Sequence, residues 1–124
     1  MLKMSSILLF SQNPKSLADF YAKVFDRKPD WDEGGYYGFV VGSFMLTIGP
    51  HDQVKGKNPN PERMMLNFDV EDVEKEFERI KGVGAHVIAK PYEPDEMSDV
   101  LIATFADPDG NYFQLMTPWE DKRN

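Results

Sequence analysis

Apolar and polar positions in the first quarter of the chain predict one strand followed by one helix. Residues 4–11 are rich in apolar and β-branched side chains, as strands are. Asn13 and Pro14 then predict a helix start, as N-cap and first helical residue. Apolar residues follow at the spacing of one buried helix face: Leu17, Phe20, Tyr21, Val24 and Phe25. Pro29 sets the latest possible end of this helix.

A hairpin is predicted next. After the Gly34-Gly35 turn, residues 36–41 and 43–48 form two short apolar runs, and they are joined so tightly at Gly42-Ser43 that an antiparallel pair is the natural interpretation. The stretch 50–61 is polar and rich in proline, asparagine and lysine, which predicts a loop.

The same order then restarts. Residues 63–70 predict a strand, and residues 71–81 predict a helix with one apolar face and acidic residues in its first turn. Further strands are predicted at 86–89, 100–105 and 112–116. Two rounds of strand, helix and strands predict an α+β fold.

An internal repeat supports this order. Segment 42–50 aligns with 110–118 at a constant offset (110 − 42 = 118 − 50 = 68), and the two helices align at an offset of 60 (77 − 17 = 80 − 20). We therefore predict a single domain, residues 1–124, made of two βαβββ modules. Module one covers about 1–50, a linker 51–62, module two about 63–118, and a frayed tail 119–124.

Composition narrows the function classes. The chain has 124 residues, a net charge of −7 and no cysteine, which excludes disulfides and thiolate chemistry. The negative net charge disfavours binding of nucleic acid and favours binding of a cationic ligand, although many proteins without such a ligand are also acidic. No apolar run is long enough to span a membrane and no signal peptide is recognisable, so we expect a cytoplasmic protein with no membrane partner.

Three segments resemble landmarks of the vicinal oxygen chelate superfamily. They are Asn13-Pro14 with LADFYAKVF at 17–25, FDVEDV at 68–73, and FADPDGNYFQL at 105–115. This superfamily includes glyoxalase I, extradiol dioxygenases, and fosfomycin and bleomycin resistance proteins. The resemblance implies two βαβββ modules that form a U-shaped, open mixed sheet with a concave cleft.

The resemblance also implies where catalytic metal ligands would lie. Metalloenzymes of the superfamily carry histidines in the first strand and mid-chain, and a glutamate in each module's last strand. Those positions fall here on Ser6, Met65, Leu46 and Gln114. Such side chains do not hold a hard divalent ion, so we expect no metal, no other cofactor and no catalytic residue from this set.

Strand alternation predicts which side chains face the cleft. With the four positions above on the concave face, its lining is Ser6, Leu8, Phe10, Phe44, Leu46, Ile48, Met65, Asn67, Asp69, Tyr112, Gln114 and Met116. The opposite parity packs on the helices. Such an apolar, partly aromatic wall is typical of a small-molecule pocket, or of side chains that simply fill the cleft as core.

Trp31 is the second feature that suggests a ligand-binding site. Its indole, flanked by Asp30, Asp32 and Glu33, could stack on a flat cation, or it could belong to a solvated acidic loop. Tyr92 and Trp119 could close the rim. The candidate ligand-binding set is Phe10, Trp31, Tyr37, Phe39, Phe44, Leu46, Met65, Asn67, Tyr112, Gln114 and Trp119.

Three functional hypotheses follow. The first is a metal-free binding protein resembling the bleomycin resistance branch, which sequesters an aromatic cationic compound such as an antibiotic. The second is a lyase, isomerase or dioxygenase with a displaced metal site, which would involve His51 or His86. The third is a regulatory module whose cleft binds protein. The resemblance further implies a homodimer.

Overall fold

The structure, a computed structural model, describes residues 1–95 and 99–118. The chain divides into two compact units, Met1–Lys57 and Asn58–Asn124. In these described residues, each unit contains one helix and one four-stranded mixed sheet, so the architecture is α+β, as predicted. In the described part of the chain, neither helix has the length and apolarity that a membrane crossing requires.

The first unit follows the order βαβββ. Its elements are β1 (Ser6–Phe10), α1 (Pro14–Phe25), β2 (Trp31–Glu33), β3 (Tyr36–Val41) and β4 (Phe44–Gly49). The strands lie in the order β1-β4-β3-β2, with β1 parallel to β4 and the other pairs antiparallel.

The second unit repeats this order. Its elements are β5 (Leu66–Asp69), α2 (Val73–Gly82), β6 (His86–Tyr92), β7 (Ile102–Ala106) and β8 (Tyr112–Met116). The strand order β5-β8-β7-β6 again places the first strand parallel to the last. The repeated element order predicted from the sequence is therefore present in both units.

The α1 helix begins where the sequence predicts, α2 begins at Val73, two residues after its predicted start, and the caps of the two helices differ. Asp72 accepts a hydrogen bond from the Lys75 N–H (3.1 Å), as an N-cap carboxylate does. Asn13 occupies the N-cap of α1 without a side-chain cap bond, and Ser11 Oγ instead accepts from the Asn13 N–H (2.9 Å). The α1 helix ends at Phe25, followed by Asp26 in a left-handed conformation (φ 55°).

Each unit has its own aromatic core beneath its helix. In the first unit, Phe25 of α1 contacts Phe39 edge-on, with ring centroids 5.2 Å apart. In the second, the rings of Phe77, Phe105 and Phe113 stack in series, at 5.2 and 5.4 Å. Burial of each such side chain contributes about 1.5–3 kcal/mol relative to exposure.

Candidate functional site

The face of the first sheet that lies away from α1 is built from rows of side chains across four strands. Leu8 pairs with Thr47, Thr47 with Gly38, and Gly38 with Trp31, so these four residues point to one side. Their chain neighbours point to the other side, where the core is packed. We call this surface the first open face; its members are Ser6, Leu8, Phe10, Trp31, Glu33, Tyr36, Gly38, Val40, Met45, Thr47 and Gly49.

The prediction of which β4 side chains lie on the open face was wrong. Leu46 is 5% exposed, and Phe39, opposite it, is 0% exposed; both lie on the helix side with Ile48. Tyr37 and Phe44 have the same parity and also belong to the helix side of the sheet. Four members of the candidate set, Tyr37, Phe39, Phe44 and Leu46, are therefore not on the open face.

Turn length explains the inversion. The β3–β4 turn has two residues, Gly42 and Ser43, whereas five residues separate β7 from β8. Aligning the two turn glycines therefore matches each β4 residue with a β8 residue that faces the opposite side of its sheet. Side chains alternate along a strand, so an alignment shifted by one residue assigns every side chain to the wrong face. In the structure Gln114 pairs with Asn67 and Thr47 pairs with Leu8, so Thr47, not Leu46, is the counterpart of Gln114.

Two glycines let aromatic rings lie flat on the first open face. The Trp31 indole covers Gly38, and the Tyr36 ring covers Gly49, because a Cβ at either glycine would overlap the ring. Trp31 remains 38% exposed. A solvated acidic loop was one of the two interpretations of the Trp31 segment; in the structure Trp31 begins strand β2. The glycine opposite it across the hairpin was the signal that was missed.

The three carboxylates around Trp31 have different positions. Asp30 Oδ2 accepts from the Val40 N–H (2.6 Å) and from Arg27 Nη1 (2.7 Å), and these bonds lower the pKa of Asp30, the backbone N–H most strongly. Asp32 pairs with Tyr37, on the helix side. Glu33, two residues after Trp31 on the same strand, shares its face.

Phe10 lies on the first open face, in contact with a histidine. The Phe10 and His51 rings meet edge-on, with centroids 5.2 Å apart. His51 Nδ1 accepts from the Gln53 N–H (3.0 Å), which places the proton of a neutral imidazole on Nε2. His51 is therefore held as part of the loop after β4.

The corresponding surface of the second unit has a polar central row. Thr104, Gln114 and Asn67 form one row across β7, β8 and β5, and we call the surface that contains them the second open face; its other strand members include Asp69, Ile102, Ala106, Tyr112 and Met116. Gln114 Nε2 donates to Asn67 Oδ1 (3.1 Å), and Asn67 Nδ2 lies 3.7 Å from Met116 Sδ.

The predicted parity holds in this unit. Phe113 and Leu115, which alternate with the open-face residues of β8, are 0% and 1% exposed on the helix side. Met65 directly precedes β5 and is exposed. Trp119 lies outside the described residues.

The acidic turn between β7 and β8 has a structural role. Asp107 Oδ1 accepts from the backbone N–H groups of Asp109 (2.9 Å) and Asn111 (3.0 Å), and Oδ2 accepts from Asn111 Nδ2 (3.0 Å). Asn111 Oδ1 in turn accepts from Asn58 Nδ2 (3.0 Å), which ties the start of the second unit to the turn. These hydrogen bonds explain why an aspartate occupies this position: its carboxylate stabilises the turn.

The side chains at the superfamily's ligand positions do not suit a catalytic metal. With the corrected parity they are Ser6 and Thr47 in the first unit, and Met65 and Gln114 in the second: two hydroxyls, a thioether and an amide. Over residues 1–95 and 99–118, no three His, Asp or Glu side chains are grouped so as to hold a metal ion. His86, on β6, pairs with Ala106 of β7.

Comparison with known proteins identifies the family. The model of the glyoxalase-like domain matches residues 6–116. The chain belongs to the glyoxalase-like domain family. Its membership in the vicinal oxygen chelate superfamily, indicated by the three sequence landmarks, is thereby confirmed.

Solved structures share the fold of this chain. A glyoxalase/bleomycin resistance protein/dioxygenase family enzyme from Burkholderia phytofirmans PsJN is 21% identical, with a TM-score of 0.74 over 94% of this chain and 98% of its own. A glyoxalase-related enzyme from Fulvimarina pelagi is 19% identical, with a TM-score of 0.77 over 95% and 89%. An integron cassette protein from the mobile metagenome of V. cholerae is 18% identical, with a TM-score of 0.70 over 94% and 95%.

At these identities the likeness shows the fold alone. Among curated proteins, none has a significantly similar sequence.

Proposed function

We propose that this glyoxalase-like protein binds and sequesters a flat, aromatic, cationic small molecule, such as an antibiotic, on its first open face. One observation carries the proposal: the exposed Trp31 indole lies flat over Gly38, with Glu33 on the same face of the same strand. An aromatic platform beside an uncompensated carboxylate is suited to a planar cation.

The surroundings of Trp31 extend this platform. Leu8 is 59% exposed and shares the Trp31 row, while Tyr36 and Phe10 share the next row. A large apolar surface left open on a small protein commonly marks a binding site. A cation over an indole contributes about 0.5–2 kcal/mol, and the net charge of −7 adds a long-range attraction for cations.

Binding, not turnover, is the activity that these residues support. The first open face offers aromatic and apolar side chains, the hydroxyls of Ser6 and Thr47 in separate rows, and one carboxylate, with no pair of groups arranged as nucleophile and base. The side chains at the superfamily's metal-ligand positions also favour binding over turnover, because hydroxyl, thioether and amide groups are poor ligands for a hard divalent ion.

The test is a titration with proflavine, a planar cation, followed by protein thermal shift and ligand fluorescence. We expect Trp31→Ala to weaken binding by about tenfold or more, and Glu33→Gln to weaken it by about threefold and reduce its salt dependence. Asp32→Asn is the matched control, since it removes the same charge from the same strand on the opposite face. It should change affinity less than about twofold.

Two results would overturn the proposal. One is the absence of stabilisation by proflavine and by a panel of other flat cations. The other is equal binding by the wild type and Trp31→Ala.

We further propose that the protein works in the cytoplasm as a homodimer, as the superfamily resemblance implies. Light scattering should then give twice the 14.2 kDa mass of the chain. A species of one chain mass at micromolar concentration would contradict the dimer without affecting the Trp31 site.

A further inference from the structure

Asn67 and Gln114 form a side-chain amide pair at the centre of the second open face. Gln114 Nε2 donates one hydrogen to Asn67 Oδ1 at 3.1 Å. The Asn67 amide is oriented in turn by Met116 Sδ, a weak acceptor, at 3.7 Å. Their strands are hydrogen-bonded neighbours, with Asn67 directly opposite Gln114, so the backbone fixes the spacing of the pair.

Gln114 has hydrogen-bonding capacity beyond its bond to Asn67. A primary amide carries two N–H donors and an oxygen acceptor, and Gln114 donates only one N–H to Asn67. Within residues 1–95 and 99–118, the structure records no partner for Gln114 Oε1 or for the second Nε2 hydrogen. An acceptor and a donor on neighbouring atoms match the edge of another amide, lactam or imide.

The neighbouring groups discriminate against a carboxylate ligand. Gln114 Oε1 would face a carboxylate oxygen with like partial charge, and Asp69 lies two residues from Asn67 on the same face of β5. Met116 and Tyr112 flank Gln114 on β8 and offer polarisable, apolar contact area for a flat ring.

We propose that the Asn67–Gln114 pair is a recognition site for a neutral carboxamide, lactam or imide group on an aromatic ligand. The inference rests on the proposed function only in treating the open faces as ligand-binding surfaces. It assigns to the second unit a preference for neutral hydrogen-bonding groups, separate from the cation preference assigned to Trp31.

Benzamide, benzoate and benzamidine test this assignment, because they share one shape and differ in charge. In two-dimensional ¹H–¹⁵N spectra of the full chain, benzamide should shift the side-chain amide signals of Asn67 and Gln114, and benzoate should not. Benzamidine should instead shift the indole N–H signal of Trp31. Gln114→Leu should weaken benzamide binding about tenfold, as expected for loss of two neutral hydrogen bonds.

Gln53→Leu is the matched control, since it removes an exposed side-chain amide from the loop after β4. It should leave benzamide affinity within about twofold of the wild type. Equal shifts with benzamide and benzoate would overturn the inference, as would benzamide shifts that survive in Gln114→Leu. A response of Trp31 to benzamidine without any response of Gln114 to benzamide would overturn the inference alone and leave the proposed function standing.

Discussion

The two units share one plan on their helix sides and differ on their open faces. Each packs aromatic residues under its helix, with Phe25 on Phe39 in the first unit and Phe77 on Phe105 in the second. The open faces have no such correspondence. The first carries rings laid over glycines, and the second carries a hydrogen-bonded amide pair.

This difference separates the requirements of folding from those of recognition. A repeated unit must bury one face to be stable, so the residues under the helix are constrained to be apolar and closely packed. The other face is free to vary in chemistry. Thr47 and Gln114 illustrate this, because they occupy equivalent rows and carry a hydroxyl and an amide.

The largest expected effect tests the assignment of faces. Leu46→Ala should destabilise the protein by about 2–5 kcal/mol, because it opens a cavity under α1. Thr47→Ala, one residue away on the open face, should cost less than about 1 kcal/mol. Urea denaturation measures both. Similar losses for the two variants would contradict the corrected parity of β4.

A somewhat smaller effect distinguishes the two hairpin turns. Asp107→Ala should cost about 2–3 kcal/mol, since it removes a buried carboxylate that accepts from the Asp109 and Asn111 N–H groups. Ser43→Ala, in the exposed turn of the first unit, should be close to neutral. If Asp107→Ala melts like the wild type, the turn is not held by that side chain.

Gly38→Ala tests the aromatic platform. Its Cβ would overlap the Trp31 indole, so the ring must leave the sheet, at a cost of about 1–2 kcal/mol and with a red-shifted tryptophan emission. Gly82→Ala is the control: nothing lies near a Cβ there, and alanine favours the helix. It should be neutral or slightly stabilising. Unchanged emission in Gly38→Ala would show that the ring does not lie over Gly38.

The smallest effect concerns pH. The folded-state pKa of Asp30 is lowered, so its contribution to stability is complete above the unfolded pKa of about 3.9 and is lost as pH falls through the lower folded value. The melting temperatures of the wild type and Asp30→Asn should therefore differ most above pH 4 and converge below it. A constant difference down to pH 2 would refute this linkage.

Element type and order could be predicted because they depend on local patterns. The apolar spacing of α1 and that of α2 are both legible within a few residues. Strand β2 was missed because Trp31–Glu33 has only three residues and little apolar alternation; its position is set by pairing with β3. Pairing of that kind is a property of the folded sheet.

The faces were harder to predict than the elements. In the second unit the parity was correct, since Gln114 alternates with the plainly apolar Phe113 and Leu115. In β4 the alignment of turns outweighed a local signal, namely that Thr47 and Gly49 are less apolar than Leu46 and Ile48. Ligand preference depends on rows of residues from separate strands, which no single segment displays.

The Arg27–Asp30 pair has a consequence for self-association. Strand β2 is short, so part of β3 lacks a neighbour on that side. There the Asp30 carboxylate accepts from the Val40 N–H and the Arg27 guanidinium donates to the Val40 carbonyl, as a further strand would. The two side chains thus occupy the sites at which a foreign strand would add, and protect this edge of the sheet from aggregation.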